Sequence, residues 1–368
     1  MKHIHVIVIL ILTTPFFSGC VHTNIVDEVQ LIHALGFDYV TDNKVKAVAS
    51  VPVFKSNKQI SSEIISATGV ASRVIRLQIN SKSPKPVHTG KLNVIIFTEM
   101  LSDKLGIFDI IDTFSRDPTI GKGIYLAITS KTTDELFSLS NPLERDIAVD
   151  IQKTIRQNME SQNIPITNFH RFLRQYYEIG QDPYLPHVRR NGNFVEVDGV
   201  ALLKGDRFVH KLGLKEAFLM KSLIERIKYG TYEAGIKGEN EYAVIRNVKS
   251  KSDYSIEKNT NTPKISITIN IRGEISEYTG SHLDQEKIRE VNRTFKSSME
   301  SDTKKMIKLF QEKEIDPIGL GSRVRSSNRQ FNLDDWKEYY KDAEVDVNVN
   351  VTIVGTGITD ETSRPNSN

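Results

Sequence analysis

The stretch Leu92-Asn93-Val94-Ile95-Ile96-Phe97 has apolar side chains at every position except Asn93. A short and nearly continuous apolar run is typical of a strand that is buried on both faces of a sheet. A segment through Phe114 is predicted to be helical, and Gly123 to Ile128 gives a second buried strand. The order strand, helix, strand predicts a mixed α/β unit around Leu92 to Phe97.

Upstream of this unit, two apolar stretches flank the turn cluster Thr41-Asp42-Asn43-Lys44. Leu31 to Val40 precedes the cluster, and apolar residues alternate with others through Val45 to Phe54. Alternation on both sides of a turn predicts a β-hairpin. The serine-rich residues 55–68 are predicted to form a loop, and residues 70–79 a short helix.

Downstream, helices are predicted over residues 143–160 and 166–178. Asp182-Pro183-Tyr184-Leu185-Pro186 and the following Arg-Arg-Asn-Gly-Asn then predict a domain boundary at residue 190. A compact strand, strand, helix unit follows, and its parts are Phe194 to Lys204, Arg207 to Leu212 and Leu214 to Ile227.

The last part of the chain begins with residues 249–263, which are polar and are predicted to be a connection. Ile265 to Ile271 alternates as a strand does, and Asp284 to Glu312 has apolar residues at steps near 3.6. That spacing predicts one long amphipathic helix lying on a sheet. Val345 to Val354 is predicted as the closing strand, and residues 356–368 as a disordered tail.

The N-terminus has the features of a lipoprotein signal peptide over residues 1–19. A basic start is followed by the apolar run Val6 to Leu12 and by Phe16-Phe17-Ser18-Gly19-Cys20. The run is too short to span a bilayer, and a cysteine at the cleavage point can accept a lipid. We therefore predict lipidation of Cys20. The alternatives are an ordinary secreted protein and a short N-terminal anchor.

Composition narrows the classes of function. Without residues 1–19 the chain has 349 residues with 48 basic and 46 acidic side chains, which argues against a nucleic-acid partner. Cys20 is the only cysteine, so no internal disulfide can form. The length predicts two or three domains, and no stretch after Cys20 is apolar for the roughly 20 residues that a membrane span needs.

No sequence signature of catalysis or of metal binding stands out. The chain has no G-x-S-x-G, P-loop or H-E-x-x-H pattern, and Gly121-Lys122-Gly123 is interpreted as a turn. The histidines are scattered, and His33 and His210 are expected to be packed or surface residues. Asp334-Asp335 is predicted to cap the helix that carries Trp336. We therefore predict no catalytic residue, no metal and no cofactor.

Several short motifs occur in a fixed order along nearly the whole chain. They are Ala34-Leu35-Gly36-Phe37-Asp38, Asn93 to Glu99 running into Phe114-Ser115-Arg116-Asp117-Pro118, Asp198-Gly199-Val200-Ala201, and Asp316-Pro317-Ile318-Gly319-Leu320-Gly321 followed by Trp336 and Gly355-Thr356-Gly357. Together with the lipobox they resemble the Ger(x)C family, the C-subunit lipoproteins of bacterial spore germinant receptors. The family often has Trp-Asp after the lipidated cysteine, where this chain has Val21-His22-Thr23.

The resemblance implies an α+β fold of three mixed α/β domains, with largely antiparallel sheets packed against helices. Combined with the signals above, it predicts an N-terminal domain over residues 20–190, a middle domain over 191–258 and a C-terminal domain over 259–355. The C-terminal domain would carry the long amphipathic helix.

The resemblance also implies a non-enzymatic subunit that acts in nutrient-triggered germination through assembly or signal relay. Its expected partners are two integral membrane subunits, A-type and B-type, and the lipid bilayer through Cys20. Its expected place is the outer face of the cell membrane and the inner membrane of the spore. The candidate interface residues are Arg116, Asp117, Pro118, Asp316, Gly319, Gly321 and Trp336, each of which also has a structural explanation as a turn or core residue.

Two other functions remain open from the sequence. One is a solute-binding lipoprotein, for which Tyr176, Tyr177 and Tyr184 could line a cleft between domains. The other is an anchored hydrolase, which is the weaker because no nucleophile and base can be paired.

Overall fold

The computed structural model describes most of the chain in ten stretches. They are residues 28–54, 60–70, 72–121, 123–139, 146–161, 163–236, 241–257, 264–280, 282–329 and 331–356. The predicted signal peptide, Cys20 and the predicted tail beyond Thr356 lie outside the described residues. No helix within these stretches is long and apolar enough to cross a membrane.

Fourteen strands lie in the described residues. They are β1 (Gln30–Leu31), β2 (Ala34–Thr41), β3 (Lys44–Phe54), β4 (Ile60–Gly69), β5 (Val87–His88), β6 (Val94–Thr98), β7 (Tyr125–Thr129), β8 (Tyr184–Asn191), β9 (Phe194–Lys204), β10 (Arg207–Leu212), β11 (Tyr232–Gly235), β12 (Tyr242–Ile256), β13 (Ile265–Tyr278) and β14 (Val345–Thr356).

The same stretches contain ten α-helices. They are α1 (Ser72–Lys82), α2 (Glu99–Lys104), α3 (Phe108–Ser115), α4 (Thr133–Phe137), α5 (Ile147–Ser161), α6 (Phe169–Tyr177), α7 (Leu214–Ile224), α8 (Gln285–Glu312), α9 (Leu320–Ser327) and α10 (Trp336–Tyr340).

An eight-stranded sheet forms the larger part of the fold, with the strand order β10-β9-β8-β7-β6-β2-β3-β4. The sequence prediction of a doubly buried central strand is confirmed at β6, where every residue is buried. Val94 and Ile96 belong to the hydrophobic cluster on one face, and Ile95 and Phe97 to the cluster on the other. The alternation of a strand thus divides four adjacent apolar residues between two cores.

Helices cover both faces of this sheet. The cluster of Val94 and Ile96 includes the buried residues of α5 and α7, whereas that of Ile95 and Phe97 includes Ile75 of α1 and buried residues of α3 and α6. A separate parallel pair, β1 with β5, lies at the start of the described chain. The arrangement has three layers, with the sheet in the middle.

The C-terminal part is a four-stranded sheet in the order β11-β12-β13-β14, packed against α8. Ile265, Ile267 and Ile269 of β13 are fully buried, as their alternation predicted. Helix α8 begins after Asp284, whose side chain accepts from the Lys287 backbone N–H at 2.8 Å. The prediction of one long amphipathic helix is confirmed.

The α+β class is likewise confirmed, and most paired residues lie in antiparallel ladders. Two loop predictions were wrong. Strand β4 occupies much of the predicted loop 55–68, and β12 extends to Ile256 through the predicted connection 249–263. In β4 the buried side chains begin only at Ile65, after the polar Ser61, Ser62 and Glu63, and in β12 the exposed Lys249, Lys251 and Asp253 alternate with less exposed residues.

Around residue 190 the structure has a hairpin turn, in which Gly192 has a φ of 58°. Strands β8 and β9 pair on either side of the turn within the eight-stranded sheet. Gly192 and Asn193 form the turn between the paired residues Asn191 and Phe194, and glycine is preferred at the first position of such a two-residue turn because it adopts positive φ without strain. The division of the chain into three domains stays a prediction, and the sheet is continuous across residues 190 and 191.

Candidate functional site

An apolar cavity of about 330 Å³ lies between the eight-stranded sheet and helices α1 and α3. Strands β2 and β3 supply its floor, and α1 supplies one wall through Ile75 and Ile79. The apolar side chains that line it are Ile32, Leu35, Phe37, Ala47, Ile75, Ile79, Val87 and Phe114. Ala47 leaves room there because its side chain is a single methyl group.

The polar residues of the lining are Arg76, Thr89, Thr113, Arg116 and Asp117. Arg116 is exposed and binds the Asp112 carboxylate, with 2.9 Å from Nη2 to Oδ2. Asp117 Oδ1 accepts from the backbone N–H of Thr119 at 2.9 Å and from its hydroxyl at 2.6 Å. Two predicted interface residues therefore meet at this cavity.

Asp117 is charged at neutral pH. Its partial burial favours the neutral form, but the hydrogen bonds from Thr119 and the positive charge of Arg76 outweigh burial and lower the pKa. Pro118 follows at an exposed position, and the Asp117 N–H donates to the Phe114 carbonyl at 3.2 Å. Arg116-Asp117-Pro118 thus makes the expected turn after α3, while its charges lie beside the cavity.

The chemistry of the cavity suits binding better than catalysis. Its volume is at the lower end of the range for small-molecule sites, and its lining combines an apolar body with a few charged groups. The lining contains no histidine, cysteine or lysine to act as a base or nucleophile. Among the described residues, no group of three side chains is arranged to hold a metal ion.

The other predicted interface residues surround the buried carboxylate of Asp316. Oδ1 accepts from the Leu320 backbone N–H at 2.9 Å. Oδ2 accepts from the Gly321 N–H at 2.8 Å and from the Trp336 indole N–H at 3.2 Å. Burial raises the pKa of Asp316 to about 7, against the lowering effect of these donors.

Asp316 also connects the C-terminal part of the chain to the eight-stranded sheet. The Asp182 N–H donates to the Asp316 carbonyl at 2.9 Å, and the Asp316 N–H donates to Asp182 Oδ2 at 2.8 Å. Asp182 Oδ1 accepts from the Gly205 N–H at 3.0 Å, beside the end of β9. We call this set the joint, made of residues 178–182, 204–205, 314–322 and Trp336.

Small residues allow the close contacts of the joint. A Cβ on Gly321 would lie 2.6 Å from Trp336 Cδ1 and 2.8 Å from the Gly180 Cα. Gly319 has a φ of 71°, in the left-handed region that favours glycine. The indole of Trp336 is stacked on Tyr340, with 5.2 Å between ring centroids. The structure therefore places Asp316, Gly319, Gly321 and Trp336 together.

A polar cluster that the sequence did not reveal lies at the buried side chain of His187 on β8. Its Nδ1 contacts Asp198 Oδ1, and its Nε2 lies 3.0 Å from Glu99 Oε1. Lys211 Nζ lies 2.8 Å from Asp198 Oδ2. Burial opposes the charge of Asp198, but hydrogen bonds from His187 and Lys211 lower its pKa to about 2.

The pair Asp198-Gly199 is the one local sequence feature that could have indicated this cluster. A Cβ on Gly199 would lie 2.0 Å from the Leu212 carbonyl oxygen, so only glycine fits there. The register of β8 and β9 shifts at His187 and Val188, beside Gly199. A strand aspartate next to an obligatory glycine is a local signal of a special position, but it does not identify the histidine partner.

Other predictions for polar residues have mixed outcomes. His33 Nδ1 lies 2.5 Å from Asp146 Oδ2, and partial burial lowers the pKa of His210. The prediction that Asp334-Asp335 caps the helix carrying Trp336 stays a prediction, because the side chain of Asp335 lies outside the described part of the structure. Asn332 caps the short 3-10 turn that precedes α10, accepting from the Asp334 N–H at 3.2 Å.

The tyrosines proposed for a cleft are packed elsewhere. Tyr184 is fully buried, and Tyr176 is stacked on Phe108 with 4.0 Å between ring centroids. Tyr177 meets Phe108 edge to face at 5.7 Å. Tyr184 and Tyr176 are thus packed against other side chains, whereas Tyr177 remains 66% exposed.

Comparison with known proteins covers nearly the whole chain. Residues 22–190 match the family model described as spore germination protein N-terminal domain, and residues 198–357 match the model described as spore germination B3/GerAC like, C-terminal. Spore germination protein GerQC of Bacillus cereus is 33% identical over 96% of this chain and 99% of its own length. Spore germination protein A3 of Bacillus subtilis is 24% identical over 94% and 96%.

Among solved structures, the crystal structure of the GerBC protein is similar with a TM-score of 0.57. It is 18% identical in sequence, and the match covers 87% of this chain and 96% of that one. At 18% identity, this similarity is evidence for a shared fold only. The two family models and the identity to GerQC together show that the chain belongs to the Ger(x)C family of spore germination proteins.

Proposed function

We propose that this protein is a non-enzymatic, lipid-anchored subunit of a spore germinant receptor and is required for nutrient-triggered germination. The observation that carries the proposal is the 33% identity to spore germination protein GerQC over 96% of the chain. The lipobox ending at Cys20 supports the anchor, which would hold the protein on the outer face of the cell membrane and on the inner membrane of the spore. Its partners would be two integral membrane subunits, A-type and B-type.

Within that function, the joint is our candidate for signal relay. It connects the eight-stranded sheet to α9 and α10 through directed hydrogen bonds between Asp182 and Asp316. Such bonds require a defined geometry, so a change in one part of the chain alters the alignment of the other. The cavity beside Arg116 and Asp117 is our candidate for contact with a partner.

The first experiment deletes the gene in a spore-forming host and follows germination by loss of optical density and release of dipicolinate. We expect failure with one class of nutrient, a normal response to others, and recovery when the gene is restored. Unchanged germination with every nutrient, in a strain whose other receptors have also been deleted, would contradict the proposal.

The anchor is tested separately with Cys20→Ala in the restored strain. Without the thiol no lipid can be attached, so we expect the protein to leave the membrane fraction. Thr23→Ala is the matched control, because it changes a nearby residue and keeps the cysteine. Membrane attachment of the Cys20→Ala protein at the level of the control would show that the lipid-anchor prediction is wrong.

A second function, solute binding, is favoured by one observation, which is the apolar cavity of about 330 Å³. Calorimetry of residues 20–368 carrying Cys20→Ser against single amino acids and sugars tests it. Ala47→Leu is the control because the larger side chain would fill the cavity. Heat that Ala47→Leu abolishes would support solute binding, and no heat across the panel would remove this candidate.

A further inference from the structure

We propose that the surface formed by α1 and residues 83–91 docks on the face of an anionic lipid bilayer. We call this surface the basic face. The proposal deepens the function above, because the lipid at Cys20 would hold the basic face against the membrane.

The basic face carries positive charge without compensating acidic residues in its own segment. Between Glu63 and Glu99 the sequence contains no aspartate or glutamate. The same segment has five basic residues, which are Arg73, Arg76, Lys82, Lys85 and Lys91. The net charge of this segment contrasts with the near balance of the whole chain.

The first turns of α1 also present apolar side chains to solvent. Leu77 is 66% exposed and Val74 is 41% exposed, and Val70 just before the helix is 66% exposed. On the opposite side of the helix, Ile75 and Ile79 are buried against the sheet. A short helix that is apolar on its outer side and rich in basic residues is suited to the boundary between lipid headgroups and acyl chains.

The first described strand, β1, lies against residues 86–88 of this surface. The Gln30 N–H donates to the Pro86 carbonyl at 2.8 Å, and the Ile32 N–H donates to the His88 carbonyl at 2.8 Å. Cys20 precedes Gln30 by only ten residues, which can extend over about 35 Å at most. A lipid on Cys20 would therefore keep the start of β1, and with it residues 86–88, within about 35 Å of the headgroups.

The charge of Lys82 in the basic face is not cancelled by its hydrogen bond. Lys82 Nζ donates to the Ser66 carbonyl at 2.6 Å, a neutral partner that does not cancel its charge. Val87 N–H donates to Asn80 Oδ1 at 3.0 Å, which holds the loop against the end of α1. Asp117 is the acidic neighbour of Arg76, and it is flanked by Arg116. An anionic bilayer complements this distribution of charge.

The test is cosedimentation of residues 20–368 carrying Cys20→Ser with lipid vesicles. This chain retains every described residue and has no lipid of its own, so the result does not depend on the anchor. We expect binding to vesicles of phosphatidylglycerol mixed with phosphatidylcholine, weaker binding at high salt, and little binding to phosphatidylcholine alone.

Two variants and two matched controls locate the surface. Each basic residue near an anionic bilayer contributes about fivefold to partitioning, so R76E/K91E is expected to lower binding by about 20-fold or more. Leu77→Ser should also weaken binding. K304E/K308E on the exposed side of α8 and Phe194→Ser at an exposed hairpin should leave it unchanged. Circular dichroism confirms that each variant is folded.

The results distinguish failure of the docking proposal from failure of the lipid-anchor proposal. If the wild-type chain does not bind anionic vesicles, or if the controls weaken binding as much as the variants, the basic face is not the docking surface. Release of the Cys20→Ala protein from the membrane fraction, together with no binding to vesicles, would overturn docking through the basic face and still support the lipid anchor. Selective loss in R76E/K91E and Leu77→Ser would support docking through the basic face.

Discussion

The indole N–H of Trp336 donates to Oδ2 of Asp316 across 3.2 Å, and the two residues are twenty positions apart. The Gly321 N–H donates to the same oxygen at 2.8 Å. One buried carboxylate therefore organises both the beginning of α9 and the beginning of α10. Replacing Asp316 or one of its donors should therefore weaken the contacts of the whole joint.

Replacing Trp336 by Phe should destabilise the fold. The change removes one donor to a buried carboxylate and leaves a gap beside Gly321, and we expect a loss of about 1–3 kcal/mol in the free energy of unfolding. Trp336 is the only tryptophan, so unfolding in urea should be followed by far-ultraviolet circular dichroism. Tyr229→Phe at an exposed position is the control. Equal stability of the two variants would contradict this prediction.

The raised pKa of Asp316 predicts a specific pH dependence. Because the folded state holds this proton up to about pH 7, whereas the unfolded state releases it near pH 4, stability from this group is full below pH 4 and declines toward pH 7. The total effect is on the order of a few kcal/mol. Urea unfolding at pH 5 and pH 8 measures it.

Asp316→Asn serves as the non-titrating reference for that experiment. The advantage of the wild type over Asp316→Asn should be larger at pH 5 than at pH 8. An advantage that is constant, or that grows with pH, would show that the carboxyl does not hold its proton in the folded state.

Gly321→Ala should destabilise the fold because the packing around residue 321 leaves no room for a Cβ. The added Cβ would meet both Trp336 and the Gly180 backbone at under 3 Å, and overpacking of this kind costs about 1–3 kcal/mol. Gly121→Ala is the matched control, because nothing lies within 4 Å of a Cβ there. Thermal unfolding should show a lower Tm for Gly321→Ala alone. If both variants unfold at the same temperature, the joint is less tightly packed than the structure indicates.

Asp198→Asn should weaken the cluster at His187. The change removes the charged acceptor of the hydrogen bonds from His187 and Lys211, and we expect a loss of about 1–3 kcal/mol, the range for buried groups left unsatisfied. The control is Glu196→Gln, which affects a more exposed pair with Arg189. Chemical unfolding at pH 7 compares the two, and a smaller loss for Asp198→Asn than for Glu196→Gln would contradict the expectation.

The depressed pKa of Asp198 predicts that the same cluster stops stabilising the fold at low pH. With a folded pKa of about 2 and an unfolded pKa near 4, its contribution is present above pH 4 and is lost as the pH falls toward 2. That contribution amounts to about 2 kcal/mol. The stability difference between the wild type and Asp198→Asn should therefore shrink from pH 5 to pH 2.5. A difference that does not change would exclude this role.

The elements that the sequence predicted are those whose hydrophobic period is unbroken. Strand β6 and helix α8 bury a continuous or regularly spaced set of side chains, so local pattern is sufficient. Strand β4 was missed because it is the edge of its sheet, and its Ser61, Ser62 and Glu63 suggest a loop. Strand β12 was missed because Lys249, Lys251 and Asp253 lie on its exposed side.

The contacts at the candidate site could not be predicted from the sequence for a different reason. Arg116, Asp117, Asp316 and Trp336 were selected by resemblance, and the structure adds what each contacts. The pairing of Asp316 with Asp182 spans 134 positions, and that of His187 with Glu99 spans 88. No local period encodes such distances, since they depend on how whole elements pack.

The joint has a mechanical consequence. Two of its segments, residues 178–182 and 314–322, are crosslinked by Asp182 with Asp316 and by the Ser322 N–H with the Gly180 carbonyl at 3.2 Å. Bonds arranged side by side share a pulling force, so they resist it together and then rupture together. A force applied across the joint would therefore meet a stiff connection that breaks over a narrow range of force.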